Sequence, residues 1–148
     1  EKKSENGLEI YLLTDYQKKS PGFEIISGSE RLADNPVIPY KEIIMYDTIN
    51  HEFEIDSAKA QAFNHKSWSV QGTAFALTIN KSIIYSGYFM PGYSSLGIDW
   101  ITIDPLSVNS RIRVSLGYPG DHASLAGRDP RNDTRIISLL QKDRKLKN

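Results

Sequence analysis

Residues 74–105, AFALTINKSIIYSGYFMPGYSSLGIDWITIDP, form the one stretch long and apolar enough to supply a central sheet. Phe75, Leu77 and Ile79 alternate with smaller or more polar residues, the pattern of a strand with one buried face. Asn80-Lys81 interrupts the run. β-Branched and aromatic side chains resume from Ile83 to Phe89, which predicts two antiparallel strands joined by a tight turn. MPGYSSLG then leads to a third strand over residues 99–104, ended by Pro105 because proline cannot donate to a ladder. With Tyr85 and Phe89 pointing inward beside Ile83, Tyr88 points outward, and Tyr93 sits on the loop.

Upstream of this stretch, Asp56 or Ser57 is placed to cap a helix over residues 58–65, with Ala58, Ala62 and Phe63 as its apolar stripe. Residues 43–46 and 51–55 are short apolar runs separated by the turn-forming Asp47-Thr48-Ile49-Asn50. Within the second run, His51 shares a face with Phe53 and Ile55. Pro36 and Pro39 bracket Val37-Ile38 and mark a packed edge segment, and residues 23–26 suit a short strand. Leu8, Ile10 and Leu12 alternate in a first strand. Residues 1–7, EKKSENG, hold too few apolar side chains to order themselves and are expected to be a disordered tether.

Downstream, Ile112, Val114 and Leu116 alternate with Arg111, Arg113 and Ser115, the cleanest half-buried strand of the chain. Residues 117–132 form the longest irregular segment, with His122 near its centre; loops of this length are often functional. Asp133 caps a last helix whose apolar face carries Ile136, Ile137, Leu139 and Leu140, and whose basic end complements the helix dipole. The expected fold is therefore α+β, a mostly antiparallel β-sheet with two helices packed on one face, in a single domain over residues 8–148.

Composition narrows the function. Lys+Arg and Asp+Glu both number 18 among 148 residues, so no charge excess exists to attract nucleic acid or an anionic membrane. No apolar run approaches the roughly 20 residues of a membrane span. Cysteine is absent, which removes disulfides and thiolate chemistry and favours an exported protein. The opening EKKSENG, without Met, reads equally as a mature product whose targeting segment has been removed or as a trimmed chain.

Chemical motifs are sparse. The three His are too scattered for a zinc site. Neither G-x-x-x-x-G-K-[ST] nor G-x-G-x-x-G occurs, so no cofactor is expected. Asp121-His122-Ala123-Ser124 offers an acid, a base and a hydroxyl, but a hydrolase needs such groups to converge in space, and no G-x-S-x-G elbow is present. Aromatic residues are the better signal, because Tyr and Trp give contact area at low entropy cost. Tyr88, Tyr93, Trp100, Tyr118 and His122 are the candidate binding residues, with packing beneath the MPGYSSLG loop as their other reading.

Two resemblances extend this picture. PVI at 36–38, HEFEID running into SAKAQAF, and TAFALTINKSIIYSGYF together resemble the head of the first periplasmic domain of the export accessory protein SecDF. The chain as a whole resembles the mature part of uncharacterised bacterial lipoproteins, through IYSGYF, the Ser-Ser turn and a GYP segment before a D-P-R-x-D helix start. The resemblance implies an extracytoplasmic, non-enzymatic domain, held at the membrane only by a lipid anchor upstream of Glu1 and working by protein or peptide interaction. The alternatives are a small hydrolase using His122 with Asp121 or Asp129, and a small-ligand binding protein with a pocket between sheet and aromatic loop.

Overall fold

The computed structural model describes residues 7–147; residues 1–6 of the expected tether lie outside the described residues. Eight strands form one sheet: β1 (Leu8–Asp15), β2 (Arg31–Leu32), β3 (Ile43–Asp47), β4 (Glu52–Ile55), β5 (Thr73–Ile79), β6 (Ser82–Phe89), β7 (Ile98–Ile103) and β8 (Arg111–Tyr118). Their order across the sheet is β2-β1-β5-β6-β7-β8-β4-β3. All pairs are antiparallel except β6 with β7. Helices α1 (Ser57–His65) and α2 (Thr134–Lys142) place Ala60, Phe63, Ile136 and Leu140 in one core cluster. The α+β class and the single compact domain are thus as the hydrophobic pattern predicts.

Asn80 (φ 52°) and Lys81 (φ 67°) are both left-handed, the conformation a two-residue hairpin needs to match strand twist. Just beyond the turn the register slips, because Leu77 faces Tyr85 while Thr78 faces Ile83. Ile84 is left over as a bulge. Residues directly opposite share a face, so Ile83 lies with Thr78 and not with Tyr85 and Phe89. Strict alternation had grouped the three together, and one inserted residue reverses that parity.

β7 is parallel to β6, with Tyr88 opposite Thr102 and Phe89 opposite Ile103. Residues 90–97 make the crossover, fewer than the dozen or so such a connection usually takes. The strands consequently pair only at their C-terminal ends. Gly87 permits the closest approach, since a Cβ there would overlap the Ile101 carbonyl oxygen. Towards the hairpin the two strands fork, and the outer edge of β6 from Ser82 to Gly87 has no strand partner.

Both faces of the sheet are covered. The helical face holds Leu8, Ile10, Phe75, Leu77, Tyr85 and Phe89. On the second face Ile25, Ala74, Tyr88, Met90 and Ile98 pack with Tyr16 and Phe23 from the segment after β1. Tyr88, expected to point at solvent, is only 2% exposed. Its alternation is right, but irregular chain covers the far face. Residues 23–26 contribute there without forming a strand, making only an isolated bridge between Lys18 and Ile25.

Helix α1 starts at Asp56, whose carboxylate accepts from Ala58 N and Lys59 N at 3.1 and 3.3 Å. Its buried stripe is Ala60 and Phe63; Ala58 and Ala62 are exposed, which corrects the expected stripe. Buried Trp68 caps the other end by donating Nε1–H to Phe63 O at 2.9 Å. At the margins of the sheet, Val37 and Ile38 donate backbone N–H to Ile10 O (2.8 and 3.1 Å). Tyr46 donates its own to Lys145 O (2.7 Å), and Lys147 returns one to Tyr46 O (2.9 Å). The chain after α2 therefore covers β3, and Lys145 Nζ reaches Ile43 O at 2.7 Å.

Gly87→Ala should lower stability by about 1–3 kcal/mol, because a backbone carbonyl has less room to yield than a flexible side chain. Gly97→Ala, where an added Cβ meets nothing nearer than Tyr118 O at 3.9 Å, should stay within about 0.5 kcal/mol of the parent. Urea titration of the two variants measures the difference; equal midpoints would contradict the close approach.

Candidate functional site

The fork between β6 and β7 opens into a groove of about 700 Å³. Consecutive β6 residues Ile83, Ile84, Tyr85 and Ser86 line it, facing Leu125, Arg128, Asp129 and Pro130 across the gap. A second hollow of about 540 Å³ adjoins it, lined by Lys19, Asp99, His122 and Ser124. Glu24, Trp100, Leu125 and Arg128 line both, so the two hollows adjoin and together make a channel-like trough, with Trp100 in the wall they share. Trp100 is half-buried and donates Nε1–H to Ser86 O at 2.9 Å. A side chain thus occupies a place on the β6 edge that a strand would otherwise take.

Each wall has its own anchor. On one side, Glu30 accepts from Gly28 N (2.9 Å) and from Ser86 Oγ (3.0 Å), tying the loop after β1 to β6. Asp99 accepts from Phe23 N at 2.9 Å. On the other, Arg131 is only 6% exposed and spends its guanidinium on the loop that carries it. Nε and Nη2 donate to the two oxygens of Asp129 at 3.0 and 2.8 Å; Nη1 donates to Asp121 Oδ2 and to Val114 O, both at 3.1 Å. Asp121 also receives Arg113 Nη2 at 3.0 Å and Leu116 N at 2.9 Å. The Tyr46 hydroxyl donates to Arg131 O at 2.8 Å. Residues 117–132, a long loop by sequence, are held by this network.

Electrostatics follow from these contacts. Hydrogen bonding to Arg113 holds the Asp121 carboxyl well below the usual carboxylate range, and Arg131 does the same to Asp129. Burial opposes the charge on Arg131, yet Asp129 and Asp121 outweigh it and raise its pKa. Burial, aided by Arg131, lowers the pKa of His51. Tyr85 is buried with its hydroxyl unpaired among the described residues, and burial pushes that phenol well above its ordinary value.

Of the five aromatic and histidine candidates, the structure brings Trp100 and His122 to the channel. Tyr88 lies on the second face and donates its hydroxyl to Phe23 O at 2.7 Å. Tyr118 donates to Ser94 O at 2.6 Å and so grips the MPGYSSLG loop from below. Tyr93 leaves 57% of its surface exposed while its hydroxyl bridges Trp68 N and O (3.3 and 3.0 Å). These three hydroxyls hold loops in place. His122 Nε2 sits 3.0 Å from Tyr118 O, and Asp121 and Asp129 direct their carboxylates to arginines, so no hydrogen-bonded Asp–His–Ser array forms among the described residues. Nor do the described residues contain a cluster of acidic and histidine side chains fit for a metal.

Arg131 and Arg128 were not singled out by composition or periodicity. The available signal was an arginine between two aspartates, D-P-R-N-D, directly before a helix: Asp129 binds the arginine and Asp133 caps the helix. No family model, curated protein or solved structure matches this chain.

Arg131→Met should cost roughly 3 kcal/mol, at the low end for breaking a buried ion pair because both carboxylates are partly exposed. Tyr85→Phe should be neutral or stabilising, since it removes a buried hydroxyl without a partner; a clear loss of stability in thermal melts would show that the hydroxyl is satisfied. Acid should act in two windows. His51, protonated less readily when folded, favours the fold above its unfolded pKa of about 6.5 and loses that contribution as pH falls. The aspartates Asp47, Asp121, Asp129 and Asp133 all ionise more readily when folded, Asp47 at about 2. Their contribution is complete above the unfolded pKa of about 3.9 and disappears as pH falls below it. His51→Asn, which suits the backbone φ of 57°, should remove the upper window from a plot of melting temperature against pH and leave the lower one.

Proposed function

We propose that this chain is a non-enzymatic binding domain that takes up a protein or peptide segment in the channel around Trp100. The carrying observation is the pair of adjoining open hollows that share a half-buried indole and have mixed polar and apolar walls. Deep enclosed apolar cavities suit small ligands, whereas an open trough admits a chain that enters at one end and leaves at the other. Indole surface at the centre of such a trough is the usual anchor for a partner.

The charges lining the trough support the same reading. Asp129 pairs with Arg131, Asp133 with Arg135 and Glu24 with Lys19. Among the described residues, the cations Lys81 and Arg128 and the acids Glu30 and Asp99 have no ion-pair partner, and Arg128 lines both hollows together with Trp100. Cations left without a partner suit a ligand that brings acidic groups. Lack of cysteine and the resemblance to lipoproteins support a location outside the cytoplasm, with a lipid anchor as the expected membrane contact. Labelling of the native protein by a membrane-impermeant reagent on intact cells checks that location; protection until lysis would refute it.

Selection of a random-peptide display library on the domain tests the binding function. Selected peptides should shift Trp100 fluorescence and lose about tenfold in affinity on Arg128→Glu, a surface substitution expected to leave the melting temperature unchanged. Peptides that bind the variant as tightly as the parent would place recognition elsewhere.

A further inference from the structure

We infer that the peptide enters as an added β-strand along the free outer edge of β6, and that its sequence is acidic. This deepens the binding function proposed above and rests on it. Every residue of β6 pairs with β5 or forms the bulge beside it, but only Tyr88 and Phe89 pair with β7. On that register Ile98 falls level with Ile84, so Ser82 and Ile83 extend past the start of β7, and residues 84–87 face it across the fork. Ile83 to Ser86 line the groove consecutively. These four neighbours span the bulge at Ile84 and lie on the part of β6 that β7 leaves unpaired.

That edge carries hydrogen-bonding groups that need partners. Met90 N–H donates to Ile103 O at 2.8 Å, which fixes the direction of the even-numbered residues towards β7. By alternation Ser86 faces the same way, and its carbonyl is taken by the Trp100 indole at 2.9 Å. Before Ser86, the bulge at Ile84 turns the chain, and no other strand, indole or backbone bond covers the edge among the described residues. The margins of the sheet are occupied instead: β1 by Val37 and Ile38, β3 by the chain around Lys145. An extended peptide supplies the row of N–H and C=O groups this edge lacks, the recognition mode of strand addition.

Charge selects among extended peptides. Lys81 at the hairpin and Arg128 across the groove both line the groove along the unpaired edge, and neither has an ion-pair partner among the described residues. Glu30, the acidic group nearest the edge, already accepts from Ser86 Oγ and Gly28 N. A peptide with an acidic side chain placed at Arg128 meets an unpaired cation there, while Glu30 and Asp99, which accept only from neutral donors, disfavour acidic residues beside them.

The test uses peptides from the display selection, each synthesised in three forms: unmodified, N-methylated at its odd residues, and N-methylated at its even residues. A strand presents its bonding groups to one neighbour at alternate residues. One N-methylated series should therefore lose about tenfold or more in affinity while the other stays within about twofold. Amide hydrogen exchange in residues 82–86 should slow on binding, and replacing the peptide's acidic residues by their amides should weaken it to the extent that Arg128→Glu does. If both methylated series bind as tightly as the parent, strand addition is overturned while channel binding stands. If no selected peptide depends on Arg128 or perturbs Trp100, both are overturned.

Discussion

Burying one guanidinium organises the half of the molecule that carries the channel. Arg131 has five N–H donors and almost no access to water, so the chain around it must supply acceptors or suffer the full penalty of an unsatisfied buried charge. Asp129, Asp121 and the Val114 carbonyl supply them, and each comes from a different place: the turn before α2, the tip of the long loop, and β8. Through its own carbonyl the same residue receives the Tyr46 hydroxyl from β3. A segment with three glycines and two prolines between residues 117 and 132 would otherwise have little reason to hold one shape. Because it does, Leu125 and Arg128 stand at a fixed distance from β6, and a groove exists.

The channel also depends on a topological compromise. A parallel pair joined by residues 90–97 cannot zip along its full length, since the crossover is too short to return the chain to the start of β6. Pairing at one end and divergence at the other is the geometric result, and at Gly87, just before the paired residues, a side chain would overlap the Ile101 carbonyl. The Trp100 indole then satisfies the Ser86 carbonyl, part of what the missing ladder leaves open. Strand mismatch and open channel are one feature.

Wherever local pattern decides conformation, the fold was legible in the sequence. Alternation located β1, β5, β6 and β8; the polar pairs at Asn80-Lys81 and Asp47-Asn50 located turns; Asp56 and Asp133 announced both helices. What escaped depends on contacts between distant residues. A bulge at Ile84 comes from pairing with β5 and leaves no trace in composition. Tyr88 followed its predicted alternation into a second core, because residues 16–26 cover that face without any strand signal. Trp100 and His122 were singled out as contact residues and do line the channel, while Tyr93 and Tyr118 spend their hydroxyls on loops. Arg131 was invisible because charge in a sequence is ordinarily read as surface.

Closure of β3 by the chain around Lys145 bears on the order in which the protein can be assembled during synthesis. β3 and β4 are made early, but β4 finds its neighbour only when β8 has emerged, and the far edge of β3 stays bare until residues 145–147 leave the ribosome. At roughly 5–20 residues per second this interval lasts several seconds. Throughout it a hairpin with an exposed Ile44 offers two unpaired edges to any passing strand. The nascent chain thus carries this unpaired hairpin until α2 and residues 145–147 have been made, and those residues act as the latch that closes it.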